Sequence, residues 1–417
     1  MTDNQIKKLL VVTQHFWPEN FRINDICESF VNHNIQVDVL CGIPNYPKGN
    51  FYSNYNYLKP RYEEYKGIHV YRAGEIPQNK KGGKFLVSLN YIWFPIAALF
   101  NLPRLCFKNK YDLVFLFCTS PIFMGFPGIV YSRFKKIKSM IYVLDYWPDS
   151  LYSVIHVNSR LFRWVIKKIS FWHYIKSDFI LTPSKGILNK LRQDAGILSG
   201  KLHFLPQSCS DISENIIASP ELHNRFDGKF NIVFTGNIGP AQSLETLVEA
   251  VGHLNITNKN AIDSLCLIIV GDGMSKNIIE NMVRGKGLTK YFVFEGYVSY
   301  HDLMKYYELS DALFVSLSDD PLFSLMLPVK VQNYMAAGKI ILASLSGEGD
   351  EIIKDANCGI TCPCGSPYKL ADAIIELINL PLESRIQSGK NGRQYYIENY
   401  RHEIFMDRLL EFFNNNI

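Results

Sequence analysis

The chain has 417 residues, of which 47% are apolar and 20% charged, a balance that excludes a disordered, collagen-like or coiled-coil protein. This length corresponds to two or three domains, each large enough to bury its own core. Residues 1–200 contain 26 Lys and Arg against 13 Asp and Glu, whereas residues 201–417 contain 18 against 26. The basic half is therefore expected to attract an anionic partner: a membrane surface, a phosphorylated substrate or a nucleic acid.

Short apolar and β-branched runs predict two series of strands separated by helices. The first series begins near Lys8 and includes a helix at Ile23–Asn32, and the second begins at Phe230. Near-continuous apolar strands that alternate with helices are typical of parallel sheets covered on both faces. The fold class predicted is α/β, with two Rossmann-like domains facing a cleft. The predicted boundaries are 1–205 for the N-terminal domain, 206–225 for a hinge, 226–385 for the C-terminal domain and 386–417 for helices that cross back.

Two stretches of the basic half combine apolar, aromatic and basic residues. Phe85–Pro103 is 19 residues long, but Asn90 and Pro95 interrupt it. It is compatible with a surface helix that dips into a membrane, a buried core helix or a membrane span. Arg160–Ser177 repeats apolar residues at helical spacing between basic ones, and a solvated amphipathic helix explains it equally well. Together the two stretches favour an anionic membrane surface.

The cysteines and the N-terminus indicate the cellular compartment. Nine mostly scattered cysteines are typical of reduced thiols in the cytosol, and the N-terminus leads into an apolar strand without a secretion signal. Cys358, Cys362 and Cys364 lack a CxxC pair and a His at ligand spacing, so no metal site is predicted there. The apolar stretch Leu113–Ser132 is predicted to form a strand, a turn and the start of a helix.

Glycine-rich turns follow three strands of the second series. Gly236 and Gly239 follow the first strand and precede a helix, where backbone N–H groups can approach phosphate. Gly271 follows another strand, and Tyr297 follows a third, where its ring can stack on a base. Each turn is also explained by ordinary strand-end packing, since none has the GxGxxG spacing.

The segment LPVKVQNYMAAGK, at 327–339, carries the most information. Lys330 lies just after Pro328, near a predicted helix N-terminus, where an ammonium and free N–H groups can hold a diphosphate together. Asn333 lies one turn later and can hydrogen-bond a ribose hydroxyl. The alternative is a capped, partly exposed helix in which Lys330 only aids solubility.

Three loops of the N-terminal half place polar residues at strand carboxyl ends, on one face of the predicted sheet. Asp145 can polarise or deprotonate an acceptor hydroxyl, although capping of the following helix is an equal alternative. The candidate acceptor-binding residues are His15, Glu19, Arg22, Asn45, Tyr46, Trp147 and Asp149.

In order along nearly the whole chain, these motifs resemble the family-4 retaining glycosyltransferases of GT-B fold. Within that family the chain is most similar to bacterial O-antigen and capsule enzymes that transfer N-acetyl-L-fucosamine. The motifs that carry the resemblance are HFWPENFRIND, GIPNYPKGNFY, VLDYWPDS, LTPSK, LPQSCSD, FTGNIGPAQSLETLVEA, VGDG, FEGYV, SDALFVSL, LPVKVQNYMAAGKIILAS and ANCGITCPCGSPYKLADAI.

The resemblance implies donor-site residues and also shows departures. Where most members have an Arg and a Lys at the donor diphosphate, this chain has Asn237 and Gln242. Asn333 replaces the glutamate on the ribose. The position of a second glutamate falls near Leu325, with Asp319 and Asp320 close by. The implied donor-binding residues are Gly236, Asn237, Gly239, Gln242, Gly271, Tyr297, Lys330, Gln332 and Asn333, and the implied catalytic residues are Asp145, Lys330 and Asp320.

The predicted reaction is retaining transfer of an N-acetylated deoxyhexosamine from a UDP-sugar to a sugar on a polyprenyl diphosphate. The resemblance implies front-face attack in which the donor diphosphate takes the acceptor proton, so no metal or other cofactor is expected. It also implies a cytoplasmic protein attached peripherally to the inner face of the cell membrane, and no nucleic acid partner. The alternatives are a nucleotide-sugar 2-epimerase of the same fold, a non-catalytic sugar-nucleotide binder and, less favoured without a GxGxxG motif, a dinucleotide oxidoreductase.

Overall fold

The computed structural model describes residues 6–47, 49–58, 61–77, 83–108, 110–154, 159–209, 211–212 and 220–417, with the backbone alone at 83–88, 108 and 154. The chain divides into two compact units. Unit 1 comprises residues 1–205 and 406–417, and unit 2 comprises residues 206–405.

Unit 1 is built on an eight-stranded sheet in the order β3-β4-β2-β1-β5-β6-β7-β8. All of its neighbouring strands are parallel except β3, which pairs antiparallel with β4. The strands are β1 Lys8–Val12, β2 Gln36–Gly42, β3 Tyr62–Tyr65, β4 Ile68–Ala73, β5 Leu113–Cys118, β6 Lys138–Val143, β7 Phe179–Thr182 and β8 Leu202–Phe204. The helices are α1 Ile23–Asn32, α2 Gly83–Leu99, α3 Leu102–Lys108, α4 Phe126–Lys135, α5 Asp149–Val154, α6 Arg160–Lys176 and α7 Lys185–Ala195.

Unit 2 is built on a six-stranded, fully parallel sheet in the order β11-β10-β9-β12-β13-β14. The strands are β9 Phe230–Thr235, β10 Leu265–Val270, β11 Phe292–Gly296, β12 Ala312–Ser316, β13 Ile341–Ser344 and β14 Gly359–Cys362. The helices are α8 Pro220–Phe226, α9 Leu244–Thr257, α10 Lys276–Gly285, α11 Tyr300–Glu308, α12 Pro321–Ser324, α13 Val329–Ala336, α14 Glu348–Asp355, α15 Pro367–Asn379, α16 Leu382–Asn399 and α17 His402–Asn416, whose last residues belong to unit 1.

The central strands are buried on both faces, which confirms the predicted α/β class with two Rossmann-like sheets. Every residue of β5 and of β10 is buried. Burial on both faces explains the near-continuous apolar runs that predicted these strands. The predicted helix Ile23–Asn32 is confirmed as α1, and Leu113–Ser132 is confirmed as a strand, a turn and the start of α4.

The first strand pairs place the loops that matter for function. β1 lies between β2 and β5, so the loops after β1 and β2 leave the same end of the sheet side by side. The sequence predicted no strand at Tyr62–Tyr65, where alternating exposure gives a short edge strand instead of a buried one. This antiparallel strand pairs along the outer side of β4 and closes that edge.

Helix α2 contains most of the predicted membrane-dipping stretch. Asn90, Phe94 and Ala98 are buried, whereas Ile92 and Ile96 are 57% and 44% exposed. The described part of α2 therefore has one face packed in unit 1 and an apolar face toward solvent. Among the described residues, no helix is long and apolar enough to cross a membrane.

The C-terminal helices pack on different units. In α16, a side chain on Gly389 would overlap the carbonyl oxygen of Gly338, so glycine lets this helix lie directly against unit 2. The end of α17 instead packs in unit 1, where Phe413 stacks on Phe30 with ring centroids 5.7 Å apart. Crossing back is thus confined to residues 406–417, a shorter segment than the sequence predicted.

Candidate active site

Three loops interlock at the carboxyl end of the unit 2 sheet. The N–H of Gly236 donates to the carbonyl of Val270 at 2.8 Å, and the N–H of Gly271 donates to that of Gly296 at 2.7 Å. Gly271 has a φ of 145°, and a side chain there would overlap the Gly236 carbonyl oxygen. Glycine is therefore required where these loops cross, at the sheet edge where ligands bind in open α/β folds.

Lys330 lies beside this crossing, at the second residue of α13. Its side chain is partly exposed, but its terminal nitrogen is buried and has no hydrogen-bond partner. The Nζ atom lies 3.8 Å from the centroid of the Phe234 ring, and the side chain runs next to Gly236. Burial lowers the pKa of Lys330 to about 7. Among the described residues, the Lys330 ammonium thus has no counter-ion, and it lies next to the backbone of Gly236, whose positive φ favours glycine.

The turn after β9 is closed by two amide side chains. The Oε1 atom of Gln242 accepts from the N–H of Gly239 at 3.1 Å and from Nδ2 of Asn237 at 3.4 Å. Asn237 is exposed and Gln242 is half-buried. Since both side chains are neutral, they shape the turn and offer hydrogen bonds, but they add no positive charge to that of Lys330.

Two further predicted donor residues on α13 are tied to the segment that precedes unit 2's first strand. Gln332 is 2% exposed, and its Nε2 donates to the carbonyl of Gln207 at 2.8 Å. The thiol of Cys209 donates to Oδ1 of Asn333. The Nε2 group of Gln332 therefore anchors α13, and its donor contact stays a prediction. Asn333 keeps its amide N–H group for a hydroxyl oxygen.

The remaining unit 2 candidates have different surroundings. Asp320 caps α12, because its Oδ1 accepts from the N–H of Leu322 at 2.8 Å. This cap occupies one oxygen of the carboxylate that the sequence assigned to catalysis. Tyr297 is 83% exposed just beyond β11, so its ring is open for stacking.

In unit 1, Glu19 joins the loops after β1 and β2. Its Oε1 accepts from the N–H groups of Asn45 and Tyr46, both at 2.7 Å, and its Oε2 lies 2.8 Å from Nδ1 of His15. Glu19 and Asn45 are both 2% exposed. The structure therefore brings these predicted residues together, but Glu19 and Asn45 hold the loops while His15 and Tyr46 border the surface.

The loop after β6 contains both reactive and structural residues. Trp147 is 1% exposed, and its indole N–H donates to the hydroxyl of Ser120 at 2.9 Å. It packs beneath the loop, and its contact with an acceptor stays a prediction. Burial raises the pKa of Asp145, and the same cause raises the pKa of Asp149 near the start of α5. A carboxylate of raised basicity suits removal of a proton from a hydroxyl.

Other polar groups at this end of the unit 1 sheet have unmet hydrogen-bonding capacity. The Nη1 atom of Arg22, a predicted acceptor residue, is buried without a hydrogen-bond partner. The sequence reading missed Gln14 and Glu75, two buried residues whose side chains meet at 3.2 Å. Gln14 lies two residues after β1, and Glu75 lies two residues after β4. Both are therefore at strand carboxyl ends, the position that also selected His15. Burial raises the pKa of Glu75 well above its ordinary value.

Comparison with known proteins agrees with this architecture. The family model of "Glycosyl transferases group 1" matches residues 216–395. An uncharacterized glycosyltransferase of Methanocaldococcus jannaschii, MJ1069, is 23% identical over 94% of both chains. The putative colanic acid biosynthesis glycosyl transferase WcaI of Escherichia coli is 23% identical over 79% of this chain and 81% of its own.

A solved structure extends the likeness to the whole fold. The Anabaena protein Alr3699/HepE, in complex with UDP, superposes with a TM-score of 0.68 at 12% identity, over 98% of this chain and 100% of that one. At this identity the likeness is one of fold. Residues 216–395 thus resemble the glycosyl transferases group 1 family, and the comparisons support a glycosyltransferase of GT-B fold.

Proposed function

We propose that the protein transfers N-acetyl-L-fucosamine, or a related N-acetylated deoxyhexosamine, from its UDP-sugar to a sugar on a polyprenyl diphosphate, with retention, in bacterial O-antigen or capsule synthesis. The observation that carries the donor assignment is the buried, unpartnered Nζ of Lys330 beside Gly236. A nucleotide-sugar diphosphate would supply the missing counter-charge. The Anabaena protein, which has a similar fold, is in complex with UDP, and this supports a UDP-sugar donor. The name of WcaI supports a role in polysaccharide synthesis.

In this mechanism the protein positions both substrates and stabilises the leaving diphosphate. Lys330, which lies beside the turn at Gly236, holds the diphosphate as its bond to the sugar weakens. The acceptor hydroxyl attacks from the same face, and its proton passes to a diphosphate oxygen. Asp145, on the unit 1 loop, polarises that hydroxyl before attack.

Attachment to the inner face of the membrane follows from two exposed apolar surfaces of unit 1. Helix α2 exposes Ile92 and Ile96, and α6 exposes Leu161 and Trp164 beside basic residues. Apolar side chains with neighbouring cations are the composition of helices that lie in the interface of an anionic bilayer. Such attachment would bring the enzyme to an acceptor confined to the membrane.

A donor screen tests the proposal. The full-length protein is incubated with UDP-sugars and a lipid diphosphate acceptor, and products are read by mass. We expect one N-acetylated deoxyhexosamine to be added with retention, and Lys330→Met to abolish the addition while leaving the fold intact. Isomerisation of the donor without acceptor would instead identify a 2-epimerase, and donor binding without turnover would identify a non-catalytic binder.

A further inference from the structure

A pocket in unit 1 lies between α5, α6 and α7, beside the loop after β6. It has a volume of about 390 Å³, near the lower end for small-molecule sites. This volume suits a compact polar group better than a complete lipid. The side chains used in the following argument are Asp149, Tyr152, Arg163, Trp164, Lys167 and Lys190.

The charges around this pocket do not cancel. Three cations line it, Arg163, Lys167 and Lys190, against the carboxylates Asp149 and Asp194, and Nζ of Lys190 lies 2.8 Å from Asp194 and 3.9 Å from Asp149. Arg163 stacks over the Tyr152 ring at 4.5 Å, and Lys167 lies 5.1 Å from the centre of the Phe171 ring. Within the described chain, neither Arg163 nor Lys167 forms an ion pair. The pocket therefore has one more positive than negative charge, and two of its cations lie outside ion-pair distance of a carboxylate in the described chain.

An apolar stripe begins at the edge of the same pocket. Trp164 lines the pocket and is 58% exposed. Leu161, Val165 and Ile169 lie three or four residues apart on α6 and are 72%, 37% and 40% exposed. Residues at this spacing share one side of a helix. Cationic residues and an exposed hydrocarbon surface thus meet at Trp164, which is the arrangement that an anionic amphiphile needs.

We propose that this pocket binds the diphosphate of the polyprenyl acceptor, with the isoprenoid chain lying along the α6 stripe. The inference rests on the lipid-linked acceptor of the proposed function and assigns a place to it. Two unpaired cations complement a diphosphate, and exposed apolar residues complement an isoprenoid chain. Asp149 borders the pocket on the same loop as Asp145, so the lipid would be held next to the residue proposed to meet the acceptor hydroxyl.

Calorimetry with farnesyl diphosphate, a soluble prenyl diphosphate, tests this site. We expect the double substitution Arg163→Gln and Lys167→Gln to weaken binding by about tenfold or more, the loss typical of charge-assisted contacts. The matched control is Lys136→Gln with Arg192→Gln, which removes the same charge from exposed positions of unit 1 that do not line the pocket. We expect this control to bind farnesyl diphosphate as the native protein does.

Two more arms examine the apolar stripe and the bilayer. Leu161→Ser with Val165→Ser should weaken farnesyl diphosphate but leave any binding of inorganic diphosphate unchanged. Equal losses in both charge pairs, or equal affinity for the two diphosphates, would overturn the proposal. So would a loss confined to vesicles of phosphatidylglycerol, because it would identify a bilayer contact.

Binding of the UDP-sugar, measured in the same variants, separates this inference from the proposed function. If farnesyl diphosphate fails to bind while the UDP-sugar binds, the lipid subsite is wrong and the donor assignment stands. If the native protein binds no UDP-sugar, the proposed function itself fails.

Discussion

Lys330 carries its charge in surroundings that favour the neutral amine. Its Nζ faces the Phe234 ring, and among the described residues no carboxylate pairs with it. An aromatic face attracts a cation, but it replaces only part of the lost hydration. The lowered pKa of this lysine is the result. A bound diphosphate would restore the charge, so donor binding and proton uptake should be linked.

This linkage predicts that donor affinity depends on pH. The charged lysine predominates below its pKa of about 7, so above that pH each binding event must take up a proton. We expect the Kd for a UDP-sugar to rise about tenfold per pH unit well above pH 7 and to level off below it. Calorimetry from about pH 6 to about pH 9 measures this, since a diphosphate diester does not itself titrate there.

Lys330→Arg is the matched control, because a guanidinium stays charged across this range. Its Kd for the donor should be independent of pH even if its affinity is altered by the larger head group. A pH dependence that persists unchanged in Lys330→Arg would assign the proton to another group.

Asp145 offers a second prediction at this scale. Since burial raises its pKa, ionisation of this carboxyl is costly, and Asp145→Asn should raise the melting temperature slightly at neutral pH. The same variant should lose roughly a hundredfold or more in kcat if the carboxylate meets the acceptor hydroxyl, with donor affinity unchanged. Thermal melts and steady-state kinetics check both effects. Unchanged kcat would leave Asp145 as a structural residue.

At the scale of elements, the exposed and the buried face of α2 can be altered separately, so that membrane contact and folding are tested independently. Ile92→Ser with Ile96→Ser alters the exposed face, so vesicle binding should fall while the unfolding midpoint in urea stays the same. Phe94→Ser instead leaves a polar cavity at a fully buried position and should cost about 3 kcal/mol or more of folding free energy. Vesicle sedimentation and urea titration give the two readouts. Undiminished sedimentation of the isoleucine variant would exclude α2 from the interface.

The end of α17 provides a stability prediction. Phe413 is 1% exposed and stacks on Phe30 of α1, so Phe413→Ala should lower the free energy of unfolding by roughly 3 kcal/mol. Asn414→Ala, at the neighbouring exposed position, is the control and should change it by less than about 0.5 kcal/mol. Urea titration compares the two. Equal values would mean that the helix end contributes little to unit 1.

Elements of this chain were predictable where burial alone decides the pattern. The helix at Ile23–Asn32 appears as predicted because one of its sides is buried, and the strand Leu113–Cys118 because burial of both faces leaves a continuous apolar run. The edge strand Tyr62–Tyr65 was not predicted, since one exposed side makes its sequence resemble a polar loop.

Site side chains were predictable by position but not by role. The rule that ligands meet strand carboxyl ends selected Glu19, and the position near a predicted helix N-terminus selected Lys330. Glu19 holds two loops together through N–H groups that are 26 and 27 residues away along the chain. The Lys330 nitrogen is buried against the ring of Phe234, which lies on β9 and is distant in sequence. Likewise, Trp147 was a candidate acceptor-binding residue by sequence, and only the packed structure shows that its side chain is buried.

For the whole molecule, the uneven charge predicts how the protein meets a bilayer. The basic excess belongs to residues 1–200, and those after 200 are net acidic. Attraction between this half and anionic lipid is screened over about 8 Å at physiological salt. We expect binding to phosphatidylglycerol vesicles to weaken markedly between about 0.05 M and about 0.5 M salt, and binding to zwitterionic vesicles to be weak throughout. Salt-independent binding would point to apolar insertion alone.

The division of the chain at Leu205 and again at Phe405 has a consequence for biosynthesis. Most of unit 1 is synthesised before unit 2, but unit 1 is completed by residues 406–417, which are synthesised after unit 2. Until those emerge, Phe30 and Phe179 lack the rings of Phe413 and Phe412 that pack on them. Unit 2 is continuous and can complete its core first, although it is made second. Unit 2 can therefore mature before unit 1, and a chain whose synthesis stops before residue 406 has an incomplete unit 1 core.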